Sequence, residues 1–197
     1  MQKLFALALV ISISFFTAVV SADELIDGCD NCHGKDGNSE DGKVPSIAGF
    51  SAQYIMDSFE NYNNKERPGI KYKPENGDET DMATISNKLS VDAIEKVAAY
   101  YAGKSFKVHE QAVDAGKAAK GKKAFDKYCD KCHSEAGTAA EDDAGLLLGQ
   151  WKPYLEEQFK LYNSGERTMP RKMKKKFKKL SDEDIANVIE FLAEGKG

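Results

Sequence analysis

The sequence predicts an all-α fold made of two tandem copies of one small unit, and three observations carry that prediction. Apolar residues recur at helical spacing, with no convincing alternating strand pattern. Two cysteines separated by two residues and followed at once by a histidine occur twice, as Cys29, Cys32 and His33 and again as Cys129, Cys132 and His133. The residues after each triplet also match one another. An offset of 100 pairs Gly49 with Gly149, Tyr54 with Tyr154, Phe59 with Phe159, Tyr62 with Tyr162 and Arg67 with Arg167; an offset of 91 then pairs Met82 with Met173, Ser90 with Ser181, Ile94 with Ile185 and Val97 with Val188.

In chain order, Lys3 precedes an apolar run over residues 4–20 that leads into Val20, Ser21 and Ala22, a small-residue pattern of the kind cleaved from secretory leaders. Residues 1–22 are therefore expected to be a signal peptide directing the chain to the periplasm. The run is a little short for a spanning helix and contains Ser12, Ser14 and Thr17; membrane contact is expected only if the leader stays uncleaved. The first unit is expected over residues 23–103, a linker over 104–118 and the second unit over 119–197. In the middle of each unit, Ile55, Phe59 and Tyr62, and likewise Leu155, Phe159 and Tyr162, fall at i, i+4, i+7 of an amphipathic helix. The last helix of each unit repeats Ile94, Val97, Ala98, Tyr101 as Ile185, Val188, Ile189, Leu192, with Ser90 and Ser181 where N-caps belong. A helix over residues 117–131, carrying Phe125 and Tyr128, leads into the second triplet. Its counterpart is cut short, because only six residues separate Ala22 from Cys29. The change of offset places nine extra residues within residues 68–81, a Pro, Gly and charge-rich stretch that reads as a surface loop. His109, in the linker, is expected to be solvated and not a ligand.

The triplets carry the chemistry. On one helical turn the cysteines stand at i and i+3 and the histidine at i+4, so all three side chains can approach one face. A flat macrocycle could take two thioether bonds at its edge and one imidazole on its iron, which is the attachment pattern of c-type haem. The two triplets hold all four cysteines and two of the three histidines. Zinc is a weaker reading, since structural zinc sites usually draw on closely spaced pairs. A thioredoxin-like dithiol would want a βαβ pattern nearby. Each unit has only about 80 residues, marginal for a core built of side chains alone, and a buried haem would supply the missing apolar volume. Two covalently attached haem c groups are therefore expected.

The other side of each iron separates electron transfer from catalysis, because a methionine thioether closes the site and raises the potential. Met82 and Met173 fall at equivalent places, eight residues before the capping serines, and are the expected distal ligands. Met169 competes in the second unit; Met56, with Glu156 as its counterpart, competes more weakly in the first. With both irons closed there is no open position for a substrate. The chain also lacks a glycine-rich phosphate loop and a nucleophile with a matched base. The expected activity is a one-electron relay with no catalytic residues.

Charge divides the chain. Residues 23–103 hold 16 acidic and 8 basic residues, net −8, and residues 104–197 hold 16 acidic and 19 basic, net +3. Seven of the nine residues over 171–179 are Lys or Arg, with Met173 among them, so a basic cluster would ring the second haem and steer an acidic partner toward it. Nucleic acid is an implausible partner for an exported, acidic protein.

The tandem triplets, each followed by a Gly-containing loop, an aromatic helix and a methionine eight residues before a capping serine, resemble the diheme class I cytochromes c of the cytochrome c-four type. The second half, with Asp126 to His133, Leu148-Gly149-Gln150-Trp151-Lys152-Pro153-Tyr154-Leu155 and the lysine-rich stretch from Met169 to Met173, looks like the cytochrome subunit of flavocytochrome c sulfide dehydrogenase. The resemblance implies two cytochrome c folds related by a pseudo-twofold axis, with haem propionates near the interdomain contact. It also implies a separate sulfide-oxidising flavoprotein as electron donor; the alternative is a free-standing carrier between a quinol-oxidising complex and a terminal oxidase or reductase. This chain has no dinucleotide fingerprint of its own. Two departures matter. Pro45, whose carbonyl in such cytochromes receives the histidine N–H, has Gly145 as counterpart, which weakens the orientation of His133. Ser21 and Leu25 stand where the second unit has the helix-packing pair Gly121 and Phe125, which leaves the terminal-helix contact of the first unit in doubt.

Overall fold

The structure, a computed structural model, describes residues 22–196. The leader expected over residues 1–22 therefore lies, apart from Ala22, outside the described residues. The described residues are helical, with one isolated antiparallel bridge between Tyr72 and Thr80. None of their helices is long and apolar enough to cross a membrane.

The first domain contains α1 (Ala22–His33), α2 (Ala52–Asn63), α3 (Met82–Ser86) and α4 (Val91–Ala102). The second contains α5 (Ala115–Tyr128), a single turn α6 (Ser134–Gly137), α7 (Lys152–Ser164), α8 (Arg171–Phe177) and α9 (Asp182–Glu194). The helix starts are written into the sequence. Ser51, Asp81, Ser90 and Asp114 each accept a backbone N–H of the first turn, at Tyr54, Thr84, Ala93 and Lys117, and Ser181 with Asp184 forms a full capping box.

The terminal helices of the second domain cross at Gly121. A Cβ there would stand 1.9 Å from the backbone oxygen of Asn187, so only glycine lets α5 and α9 approach this closely. Phe125 packs on Phe191 one turn on, with ring centroids 5.5 Å apart, and both are fully buried beside Val188 and Leu192. In the first domain the equivalent contact of α1 with α4 is slighter. Ile26 is buried and Leu25 partly so, and the Tyr101 hydroxyl of α4 donates to Asp30 Oδ1 at 2.7 Å and lies 3.4 Å from the Ile26 carbonyl. A polar tether thus replaces the close crossing.

The domains are joined by more than the linker. Gln150 is fully buried and accepts the Ser46 N–H through Oε1 at 3.1 Å while Nε2 donates to the Ser46 carbonyl at 2.7 Å. Trp151 Nε1 donates to the Ser39 carbonyl at 2.9 Å. His109 is not the solvated residue expected from the sequence. Its ring stacks on Trp151 at 4.2 Å, and Nε2 lies 2.8 Å from Ser46 Oγ, because the linker runs along the domain boundary instead of looping into solvent.

Candidate haem sites and the seam between them

At the first site α1 runs through the triplet, so Cys29, Cys32 and His33 share a helical face. They line a cavity of about 740 Å³ together with Met82 at the start of α3 and the apolar side chains of Ile47, Phe59 and Leu89. That volume lies within the range of sites that enclose a small molecule. His33 Nδ1 lies 2.9 Å from the Pro45 carbonyl, which orients the ring and leaves Nε2 for a metal. Burial keeps this imidazole neutral by lowering its pKa, and only the neutral ring ligates iron. Burial also pushes the Cys29 thiol up to about 11. A protonated thiol in an apolar wall suits covalent attachment to a vinyl-bearing ring better than it suits a zinc thiolate. Met56, on α2, packs against the core of the first domain and does not line the cavity.

The extra residues of the first copy form a hairpin over this site. Tyr72 and Thr80 exchange both backbone hydrogen bonds at 2.8 Å, the Tyr72 hydroxyl donates to Asp41, and Asn31 beside the triplet donates to the Asn76 carbonyl at 2.6 Å. Pro68, Ile70 and Tyr72 line the cavity.

The second site is built differently. α5 ends at Tyr128, short of the expected residue 131, and Cys129 is its C-cap. Cys132, His133 and the chain beyond form a turn in which Glu135 and Ala136 adopt left-handed backbone angles. The Asp142 carboxylate draws the chain aside, accepting from the backbone and hydroxyl of Ser134. Cys132 is exposed and Cys129 half-buried. His133 Nδ1 is buried with no hydrogen-bond partner, at the position where Gly145 replaces Pro45. Met173 lies half-buried on α8, whose Lys176 is close enough to the Cys129 thiol to oppose the upward push of burial. Phe177 anchors α8, packing on Phe159 and Tyr162 of α7 with centroids 6.0 and 6.2 Å apart. Its counterpart in the first copy is the buried Ser86, whose hydroxyl donates to the Phe59 carbonyl at 3.0 Å and lets α3 lie tight against α2. Met169 precedes α8 in the connection from α7.

Between the sites lies a seam that the aromatic pattern of the sequence did not reveal. Arg67 is 7% exposed and lines the first cavity, yet among the described residues no carboxylate pairs with it. One of its terminal nitrogens donates across the boundary to the Tyr154 hydroxyl at 3.1 Å and to Gln158 Oε1 at 3.2 Å. Arg167 donates to the same Gln158 oxygen at 2.6 Å, and each guanidinium lies over the tyrosine of its own domain, Tyr62 at 4.9 Å and Tyr162 at 4.5 Å. Thr168 N–H donates to the Glu66 carbonyl at 2.7 Å, closing the seam. The repeat of arginine within an otherwise aromatic segment was the available signal.

Comparison with known proteins agrees with this construction. Residues 116–192, the second domain, match the family described as cytochrome C oxidase, cbb3-type, subunit III. The chain is 27% identical over 179 residues to a cytochrome c4 of Pseudomonas aeruginosa, covering 83% of this chain and 82% of that one. It is 29% identical over 152 residues to the cytochrome c4 of Stutzerimonas stutzeri, covering 71% and 70%. The fold matches reduced recombinant cytochrome c4 from Pseudomonas stutzeri with a TM-score of 0.69 at 24% identity, over 89% of this chain and 98% of that one. It also matches a thiosulfate dehydrogenase from Marichromatium purpuratum, with a TM-score of 0.66 at 22% identity, over 84% of this chain and 36% of that one. The chain carries two covalently attached haem c groups and is a cytochrome c4-like diheme electron carrier.

Proposed function

We propose that the chain works in the periplasm as a one-electron relay whose irons are held by His33 and Met82 in the first domain and by His133 and Met173 in the second. The observation that carries this reading is the first cavity, where a neutral, oriented imidazole, two thiols and one thioether line a single apolar space. Bound there, haem c supplies reversible one-electron chemistry. The protein's part is to hold the imidazole and the sulfur in place and exclude water. A closed iron has no place for a substrate, so the chain has no reaction of its own to catalyse. Export with removal of residues 1–22 belongs to the same reading.

Electrons pass to protein partners at the second domain. The hairpin over residues 68–81 covers the first site, while the second has an exposed Cys132 and the basic helix α8 beside it. This favours partners with an acidic face. The segments flanking the second triplet support a role as the cytochrome subunit receiving electrons from a sulfide-oxidising flavoprotein. The cytochromes c4 matched over most of the chain support the second reading, a free-standing carrier between a quinol-oxidising complex and a terminal oxidase or reductase. Affinity capture of the holoprotein from native periplasm separates them. A stoichiometric flavoprotein that reduces the haems on adding sulfide is expected for the subunit. Isolation as a lone protein reduced by a quinol-linked complex identifies the free carrier, and reduction by neither donor would overturn both.

A further inference from the structure

A guanidinium stays charged at any accessible pH, and a buried charge without a counter-ion is strongly unfavourable. Arg67 is such a charge, facing a cavity and held only by neutral partners, Tyr154, Gln158 and the Tyr62 ring. Arg167 adds a second cation behind it, sharing Gln158. Tyr54 registers the resulting field. Burial alone would raise the pKa of its hydroxyl, but the Arg167 and Arg67 guanidiniums outweigh burial and hold it below the ordinary phenol range. This is a preorganised site for an anion at the inner wall of the haem cavity, and the anionic groups of haem c are its two propionate carboxylates.

We infer that Arg67, backed by Arg167 and positioned from the other domain by Tyr154 and Gln158, is the propionate clamp of the first haem. This rests on the reading that Cys29 and Cys32 carry that haem. The carboxylates take the unfilled donors of Arg67, so the guanidinium gains a counter-ion without leaving the seam. Arg67 is a positioning and charge-tuning residue, and because its anchors belong to the second domain, the domain contact sets the electrostatic environment of the first haem. A cation beside the ring disfavours the ferric form and favours the ferrous one, which carries one positive charge fewer.

The test is a spectroelectrochemical titration of the full-length holoprotein across a range of pH, comparing wild type with Arg67→Gln, Arg67→Lys and Tyr154→Phe. In Arg67→Gln, two haems per chain and both low-spin spectra are expected to remain. One of the two midpoint potentials is expected to fall and to acquire a pH dependence near neutrality, as a carboxylate that has lost its cation titrates at higher pH. Arg67→Lys is expected to restore part of the shift, and Tyr154→Phe to produce a smaller shift of the same sign. Should the glutamine variant not accumulate, the lysine and phenylalanine variants still decide. Unchanged potentials and pH slopes alongside a lowered melting temperature would show that Arg67 only packs the seam, and would overturn the clamp. A wild type lacking one haem would instead sink the attachment reading beneath it.

Discussion

The two domains are copies of one plan solved with different materials. The second draws its strength from a close helix crossing, Gly121 against Asn187 with Phe125 on Phe191, and leaves the turn after its triplet open. The first has no such crossing. It ties α1 to α4 through the Tyr101 hydroxyl, runs the helix through the triplet, and covers the site with a hairpin and with residues of the other domain. A duplicated unit can therefore divide labour: one copy encloses its cofactor, and the other keeps an accessible edge beside a basic helix.

The sharpest way to break that comparison is Gly121→Ala. Its Cβ cannot coexist with the Asn187 carbonyl, so the helices must separate, at a cost of about 3 kcal/mol or more. Chemical denaturation followed at both haems is expected to show the second domain unfolding first. A variant as stable as wild type would mean that the crossing is looser than described.

Gln150→Ala comes next. It strands the buried N–H and carbonyl of Ser46, and each unsatisfied group costs about 1–3 kcal/mol. Calorimetry is expected to resolve a cooperative transition into two, since the lost contact joins the domains and not either core.

Glu190→Gln sharpens the account of the second domain alone. Burial would raise the pKa of this carboxyl, but the Lys152 ammonium at 2.6 Å and the Asp114 N–H at 3.0 Å outweigh burial and hold it below the ordinary carboxylate value. A lowered folded-state pKa adds stability above the unfolded-state value, and that stability is lost as pH falls through the folded one. The variant is expected to lose about 2 kcal/mol near neutrality, typical of a buried charge-assisted hydrogen bond. Urea midpoints of variant and wild type should converge in acid; a pH-independent gap would contradict the assignment.

The smallest effect concerns the two imidazoles. His33 has the Pro45 carbonyl as partner and, as the proposed ligand, would be the stronger donor to iron, whereas His133 Nδ1 has no partner. With the first domain acidic and the second basic, both effects lower the potential of the first haem against the Arg67 cation that raises it, and the first haem is expected to keep the lower potential of the two. Redox titration with site-resolved spectra checks the order, and the reverse order would count against this comparison.

Much of this was legible in the sequence because it depends on local chemistry. The triplets, the capping serines Ser90 and Ser181, the loop over residues 68–81 and the Pro45 to Gly145 exchange all act through neighbours in the chain or through the repeat. What escaped depends on which surfaces meet. Arg67 and Arg167 read as ordinary members of a repeat until the fold brought Tyr154 and Gln158 against them. His109 looked solvated because nothing local showed that the linker would lie on Trp151. The early end of α5 was not visible either, since the helical spacing of the sequence continues past Tyr128.

The central claim is that both irons are closed, each by a histidine and a methionine sulfur, so that the chain only passes electrons on. Carbon monoxide uptake by the fully reduced, full-length holoprotein at neutral pH tests it most directly. No binding at either haem is expected, together with a weak far-red sulfur-to-iron band in the oxidised protein that is lost in stages on replacing Met82 and then Met173. Rapid uptake of carbon monoxide by either haem would contradict it.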